Sequence, residues 1–452
     1  MGKIARGRLE GLLQDEQARF TREHPRSEAL FEQAKGSLLG GVPMPWMTEW
    51  AGPFPVFVTE AEGSRFEDVD GNSYVDLCLG DTGAMAGHAP KASVEAIAAQ
   101  AAKGITLMLP TEDAIWVGRE MHRRFGLPYW QFCLTATDAN RFTIRIAREL
   151  TGRDKILVYN WCYHGSVDET MTTISDDGSL QPRLGNVGPP VDFALTTRVV
   201  EWNDLDALEA ALAHGDVACV LAEPALTNIG IVPPDPGYHD ALRELCTKYE
   251  TFLVIDETHT ICAGPGGATR AWGLEPDFVT IGKPLAAGVP AASYGMSERV
   301  AQMIYDRPQI LERSDTGGIG GTLSGNALSL AGMRATLDNV LTDEAFDRMF
   351  ALAERWTDGV QTGIEAHALP WTVQRLGARA EYWFCDPTPR NGGQAAAAHD
   401  AELARYTHLF ALNRGVLLTP FHNMALMSPA TTIADVDRHT EVFAETASAL
   451  VG

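Results

Sequence analysis

Residues 254–284 read VIDETHTICAGPGGATRAWGLEPDFVTIGKP, and the two ends of this stretch are built alike. Phe252, Leu253, Val254 and Ile255 form one apolar run, and Phe278, Val279, Thr280 and Ile281 form another. Unbroken runs of this length among Gly and Pro suit strands buried on both faces, as in a parallel sheet. Each run delivers one ionisable residue at its end, Asp256 after the first and Lys283 after the second. A surface carboxylate and a surface ammonium would explain either one alone, so the surrounding chain has to decide whether the pair has a purpose.

Outside this stretch, apolar residues recur every three or four positions at 91–103, 112–125, 138–151, 203–214 and 238–250, which predicts helices, and a further helix is expected over about 324–341. Short strand candidates accompany them, notably KILVYN, VACVLAE, TFLVIDE and DFVTIGK. The alternation predicts an α/β fold: a mostly parallel sheet with helices on both faces, its ligand crevice beyond the carboxyl ends of the strands. Asp256, Glu223 and Lys283 all leave strands in that sense. The expected organisation is an N-terminal arm and part of a small domain over 1–70, a large domain over 71–335, and a C-terminal small α+β domain over 336–452. In the arm, LLGGVPMPWMTEWAGPFP is an apolar loop whose Gly40, Gly41, Pro43 and Pro45 forbid a continuous helix. Asp70 and Gly71 mark a hairpin turn.

Composition removes several classes of function. With 45% hydrophobic and 21% charged residues among 452, the chain is an ordinary globular protein of two or three domains. A net charge of -23 argues against nucleic acid or an anionic membrane as partner, so any phosphate site must be built locally from backbone N–H groups. The seven cysteines are scattered and never spaced C-x-x-C, which fits reduced thiols in a cytoplasmic protein; no metal site is expected.

The candidate chemistry lies at strand exits. A lysine amine becomes a nucleophile once burial or a neighbouring cation disfavours its charged form, and Lys283 is placed where a ligand would sit. Pro284 is expected to hold the backbone of Lys283 extended. Asp256 could keep a protonated ring nitrogen charged. In CLTATDAN, Thr135, Ala136 and Thr137 end a strand and open a helix, whose free N–H groups and dipole favour an anion; many such starts are only caps. Tyr163, in the Tyr163-His164-Gly165 run, could stack on a flat heterocycle, although a core tyrosine with a satisfied hydroxyl is the commoner case. Glu223 could reach a phenolic oxygen or order the Tyr and His side chains. The turn GGTLSGN, with Thr322, offers further donors. Together, a ring-nitrogen partner, a bonding lysine, a stacking aromatic and a phosphate cradle match what pyridoxal phosphate requires.

The chain resembles the class-III, fold-type-I pyridoxal-phosphate aminotransferases, in the branch that contains glutamate-1-semialdehyde aminomutase, β-phenylalanine aminotransferase and the amine (ω) transaminases. DVDGNSYVD, TATDAN, YHG, AEP, DET, GKP and GTLSGN occur in the family's order. The resemblance implies that Lys283 bonds the cofactor and shuttles a proton, and that Asp256 pairs with the ring nitrogen. It implies that Tyr163 stacks on the ring beside His164 and Gly165, that Thr135, Ala136 and Thr137 hold phosphate, and that Glu223 supports the ring oxygen. Thr322 would reach the phosphate of a neighbouring subunit, which makes a homodimer with shared active sites the expected assembly. Four positions depart from the family pattern: Ala136 replaces a usual Gly, Thr258 stands where a valine packs on the ring, and Ala286 and Ala287 occupy positions that are often Gly.

Relatives specific for amino acids often carry an arginine in the loop equivalent to residues 40–50, yet no Lys or Arg lies between Lys35 and Arg65 here. Met44, Trp46, Met47 and Trp50 could line an apolar pocket or simply pack the arm. Arg379 and Arg414 are candidates for a keto-acid carboxylate. The expected reaction is therefore transfer of an amino group from a bulky or aromatic amine to a keto acid such as pyruvate. The alternatives are an aminomutase of the glutamate-1-semialdehyde type, a β-amino-acid aminotransferase, and racemisation or decarboxylation with the same cofactor. A non-catalytic protein binding a phosphorylated ligand is disfavoured because no G-x-G-x-x-G or G-x-x-x-x-G-K-[ST] motif occurs.

Overall fold

The computed structural model describes residues 4–312 and 317–452. The chain forms two compact units: residues 1–90, 344–388 and 398–452 make the first, and 91–343 with 389–397 make the second.

The second unit is built on a seven-stranded sheet. Its strands, numbered along the chain, are β1 (Tyr129–Cys133), β2 (Lys155–Tyr159), β3 (Thr197–Val200), β4 (Val217–Ala222), β5 (Phe252–Asp256), β6 (Phe278–Ile281) and β7 (Ala292–Met296). They lie side by side in the order β1-β7-β6-β5-β4-β2-β3. Strand β7 runs antiparallel to both neighbours, and the other pairings are parallel. Every residue of β4, β5 and β6 is buried, which is why these strands show no polar alternation. Asp256 is in register with Thr280, so β5 and β6 end side by side and bring Asp256 and Lys283 to the same edge of the sheet.

The helix Ala136–Thr151 follows β1 and begins two residues before the position expected from periodicity. Thr135 and Asp138 form a reciprocal capping box, and Gly152 closes the helix in a left-handed conformation. Phe142, Ile144, Ile146 and Leu150 are buried from this helix. Strands β3 and β7 and the helix Glu298–Tyr305 are additions to the sequence-based expectation, and the other expected helices of this unit fall within about three residues of it.

The first unit contains helices Arg6–Glu23, Ala401–Leu412 and Ile433–Val451 and two small sheets. Arg65–Asp68 and Ser73–Asp76 form the expected hairpin around Asp70-Gly71, with the Asp68 carboxylate accepting from the backbone N–H groups of Asp70 and Asn72, both at 2.9 Å. The unit boundaries fall at 90 and 343, where 70 and 335 were expected. Ser73–Asp76 pairs with Arg65–Asp68 and with Val416–Leu417, which ties 71–90 to the first unit. The helix Ala327–Asn339 packs on Lys91–Ala101, with Ser93 and Thr336 hydroxyls 2.9 Å apart, which extends the second unit beyond 335.

Residues 389–397 also return to the second unit. Arg390 pairs with Asp235 at 2.5 Å, Asn203 donates to the Arg390 carbonyl at 2.9 Å, and a Cβ added at Gly392 would lie 2.1 Å from the Asn160 carbonyl oxygen. Among the described residues no helix is long and apolar enough to cross a membrane.

Candidate active site

Asp256 lies at the centre of the strand-exit edge and is 4% exposed. Its Oδ2 accepts from Asn140 Nδ2 at 2.9 Å and from His164 Nδ1 at 2.8 Å, and its Oδ1 accepts from the Thr258 backbone N–H at 3.1 Å. Burial pulls the carboxyl pKa up, but the hydrogen bond and charge of His164, with donors from Thr258 and Asn140, outweigh it and hold the group at about 2. Burial opposes the charged form of His164, whereas the Cys162 sulfur and Asp256 push its pKa up to about 10. Three of the roughly four lone-pair directions of the carboxylate are used, which leaves one for a further donor.

Asn140 was not anticipated from sequence. It also donates to the His164 carbonyl at 3.1 Å and accepts from the Thr280 hydroxyl at 2.6 Å, linking the capped helix, β5 and β6 through one amide. Its place one helical turn after Ala136, inside TATDAN, is the signal that could have found it.

Lys283 departs from the expected extended backbone: its φ is +53°, and it opens a short 3-10 turn, Lys283–Ala286. The left-handed region is uncommon for a residue with a side chain and is characteristic of sites that the surrounding fold over-determines. Pro284 does exclude the ordinary helical conformation, but the turn resolves that restriction at positive φ. The Lys283 Nζ lies 2.8 Å from Nε2 of His259, a buried residue three positions after Asp256 that the sequence reading also passed over.

The helix start sits beside this pair. A Cβ on Gly282 would approach the Ala136 N and Cβ at 3.1 Å. The N–H groups of Ala136 and Thr137 belong to the first helical turn, and the residues four back, Phe132 and Cys133, lie in β1, so the helix itself offers them no acceptor. The Thr135 hydroxyl is occupied by the cap: it donates to Asp138 Oδ2 at 2.9 Å and accepts from the Asp138 N–H at 3.1 Å. Thr137 instead turns its oxygen to the Ser166 N–H at 3.1 Å. Gly165 has φ +77°, and a Cβ there would fall 2.1 Å from the Thr137 oxygen, so the glycine of the Tyr-His-Gly run is required by this close approach.

Tyr163 is 40% exposed, so it is not a core tyrosine, and the Arg183 guanidinium carbon lies 5.6 Å from its ring centroid. Glu223 is buried; it accepts from the Thr227 hydroxyl and, at 3.3 Å, from Asn228, in place of the expected Tyr or His contact. Burial raises its pKa, with the charge of His164 and the Thr227 hydroxyl opposing. Thr258 is buried, with its hydroxyl unbonded. Thr322 is exposed on the turn that precedes the helix Ala327–Asn339.

The substrate candidates belong to the first unit. Trp46 packs edge-on against Trp50 and Phe421, with both centroid separations 5.3 Å, and Met47 is exposed. Arg379 is fully buried in the strand Arg379–Trp383. Arg414 is engaged by Glu16 at 3.0 Å and Glu445 at 3.3 Å and donates to the Phe410 carbonyl, so its guanidinium serves helix packing.

These residues fit pyridoxal phosphate. The helix start would offer N–H groups to a phosphate, the Asp256 carboxylate stays ionised with acceptor capacity to spare, the buried Thr258 hydroxyl makes no hydrogen bond, and Lys283 would supply the amine. The class-III aminotransferase family model matches residues 46–446. A crystal structure of a glutamate-1-semialdehyde aminomutase from Pseudomonas aeruginosa PAO1 is 50% identical, covers 99% of this chain and 100% of its own, and superposes with a TM-score of 0.97. A lysine-to-alanine variant of that protein has been solved in complex with PMP. Glutamate-1-semialdehyde 2,1-aminomutase from Sorangium cellulosum is 32% identical over 421 residues, 92% of this chain and 94% of that protein. An ω-transaminase from Sphaerobacter thermophilus is 26% identical with a TM-score of 0.84, over 94% of this chain and 98% of its own. The chain belongs to the class-III aminotransferases, enzymes that depend on pyridoxal phosphate.

Proposed function

We propose that the enzyme moves an amino group between neighbouring carbons of one substrate, an aminomutase reaction on an amino-aldehyde of the glutamate-1-semialdehyde kind. One observation carries this preference over the bulky-amine transamination expected from sequence: the 50% identity and 0.97 TM-score to an aminomutase over 99% of the chain. Pyridoxal phosphate, when bound, supplies the aldehyde that takes up the amino group and the ring that receives the electrons of a broken C–H bond. Ala136 and Thr137 bind the phosphate through their N–H groups. The free lone pair of Asp256 holds a proton on the ring nitrogen, and His164 and Asn140 keep that carboxylate ionised and oriented. Tyr163 covers one flat face, and Glu223 supports the ring-oxygen side. The Nζ of Lys283 carries a proton from one substrate carbon to the other. Thr322 completes the phosphate site of a second copy in a cytoplasmic homodimer.

The test supplies holoenzyme with glutamate-1-semialdehyde and no keto acid. Formation of the isomerised amino ketone is expected, and an absolute need for an added keto acceptor would refute the aminomutase reading. A second reading, transamination of a bulky or aromatic amine with a keto acid, is favoured by the Trp46, Trp50 and Phe421 cluster and by the absence of any Lys or Arg between Lys35 and Arg65. Turnover of 1-arylethylamine with pyruvate, and none of the amino-aldehyde alone, would establish it.

A further inference from the structure

The structure assigns to His259 the role of proton acceptor for the reacting amine: its Nε2, 2.8 Å from the Lys283 Nζ, takes a proton from that nitrogen whenever the lysine must bond the cofactor. This inference rests on the proposed function, since it presupposes that Lys283 is the bonding residue.

A lysine ammonium only donates, so the Nε2 facing it must be the unprotonated ring nitrogen, with the ring proton on Nδ1. At 2.8 Å the donor and acceptor are in contact, and a proton can pass between them without either side chain moving. His259 is 6% exposed, so bulk water is a poor substitute at this point.

An ammonium has no lone pair, and Lys283 cannot form a bond to an aldehyde until it loses a proton. In the step assigned to His259, one N–H bond of the Nζ ammonium breaks and its electron pair stays on Nζ as the attacking lone pair. The proton forms a new N–H bond at Nε2, and the resulting imidazolium gives it to the aldehyde oxygen, whose bond to carbon breaks as it leaves as water. The position of His259 supports a dedicated role. It lies just past β5, three residues after Asp256, so the strand that positions the carboxylate also delivers the base, while β6 delivers the amine.

The test uses full-length protein stripped of cofactor. Pyridoxal phosphate is added by rapid mixing, bond formation at Lys283 is followed by absorbance, and the bonded residue is identified by borohydride trapping and peptide mapping. In His259→Gln the side chain keeps a hydrogen-bond acceptor but cannot take a proton; bond formation is expected to slow roughly 100-fold while its final yield is unchanged. In His259→Ala a similar loss is expected, and added imidazole should recover much of the rate while leaving wild type unaffected. A wild-type rate in His259→Gln would overturn the assignment. So would a slow His259→Ala that imidazole does not accelerate, because lost packing would then account for the defect. Failure of the wild-type protein to capture the cofactor at Lys283 would instead overturn the proposed function, and this inference with it.

Discussion

Replacing Asp256 with Asn keeps the shape of the side chain and removes its charge. Three donors converge on this carboxylate, two at Oδ2 and one at Oδ1, so an amide NH2 in its place must face at least one N–H. The carboxyl pKa stands at about 2 against an ordinary 3.8, with burial opposing and His164 leading the interactions that lower it. At about 1.4 kcal/mol per tenfold, that difference corresponds to roughly 2 kcal/mol. The rise of His164 from 6.5 to about 10 would suggest more, but Cys162 contributes to it alongside Asp256, so the carboxylate is the better measure of this pair. A buried donor facing a donor adds about 1–3 kcal/mol, giving a total of about 3–5 kcal/mol, the range for breaking a buried ion pair. The pH dependence has two limits. The folded pKa of Asp256 is lowered, so its contribution is complete above about pH 3.8 and disappears as pH falls through 2. That of His164 is raised, so its contribution is complete below about pH 6.5 and disappears as pH rises through 10. Urea unfolding of the cofactor-free wild type and Asp256→Asn should therefore differ most between about pH 4 and 6.5, with the gap closing toward pH 10. A gap under about 1 kcal/mol near pH 6, or one that widens between pH 6.5 and 9.5, would refute the reasoning.

Lys283→Ala should give no lysine-bound cofactor after borohydride and lose at least about 1,000-fold in turnover; full activity without an added amine would contradict the assignment. Gly165→Ala must place a methyl group 2.1 Å from the Thr137 oxygen at a φ of +77°. The combined strain should cost about 2–4 kcal/mol, and the displaced helix start should weaken pyridoxal phosphate binding measured by equilibrium dialysis. Arg414→Ala should lower the unfolding free energy by about 1–3 kcal/mol through loss of its Glu16 and Glu445 contacts, with KM for the substrate unchanged. A large rise in KM at unchanged stability would return Arg414 to the substrate site.

The legible parts of the fold were those in which burial dictates residue type. Strands β4, β5 and β6 are buried on both faces and so consist almost wholly of apolar residues, and their parallel order places Asp256 and Lys283 at one edge. Strand β7, ASYGM, lacks that signature because the Trp130 ring lies over it; a Cβ on Gly295 would come within 2.6 Å of the indole. Small residues are selected there by packing and leave little strand propensity to detect. Strand β3 sits at the sheet edge, where two of its four residues are only partly buried. Within the site, charged residues at strand ends stood out, whereas Asn140 and His259 did not. Asn140 acquires its meaning from Asp256, 116 residues away, and His259 from Lys283, 24 residues away. The positive φ of Lys283 was equally hidden, because Pro284 restricts its neighbour without choosing between an extended and a left-handed solution.

The return of residues 389–397 to the unit that carries Lys283 bears on how the molecule is made. A nascent chain cannot complete that unit when residue 343 leaves the ribosome. The Asn160 carbonyl still awaits Gly392, and Asp235 still awaits Arg390, both of which emerge late in translation. Recombination that exchanged residues 91–343 as a cassette would leave behind the nine-residue strap that fastens them.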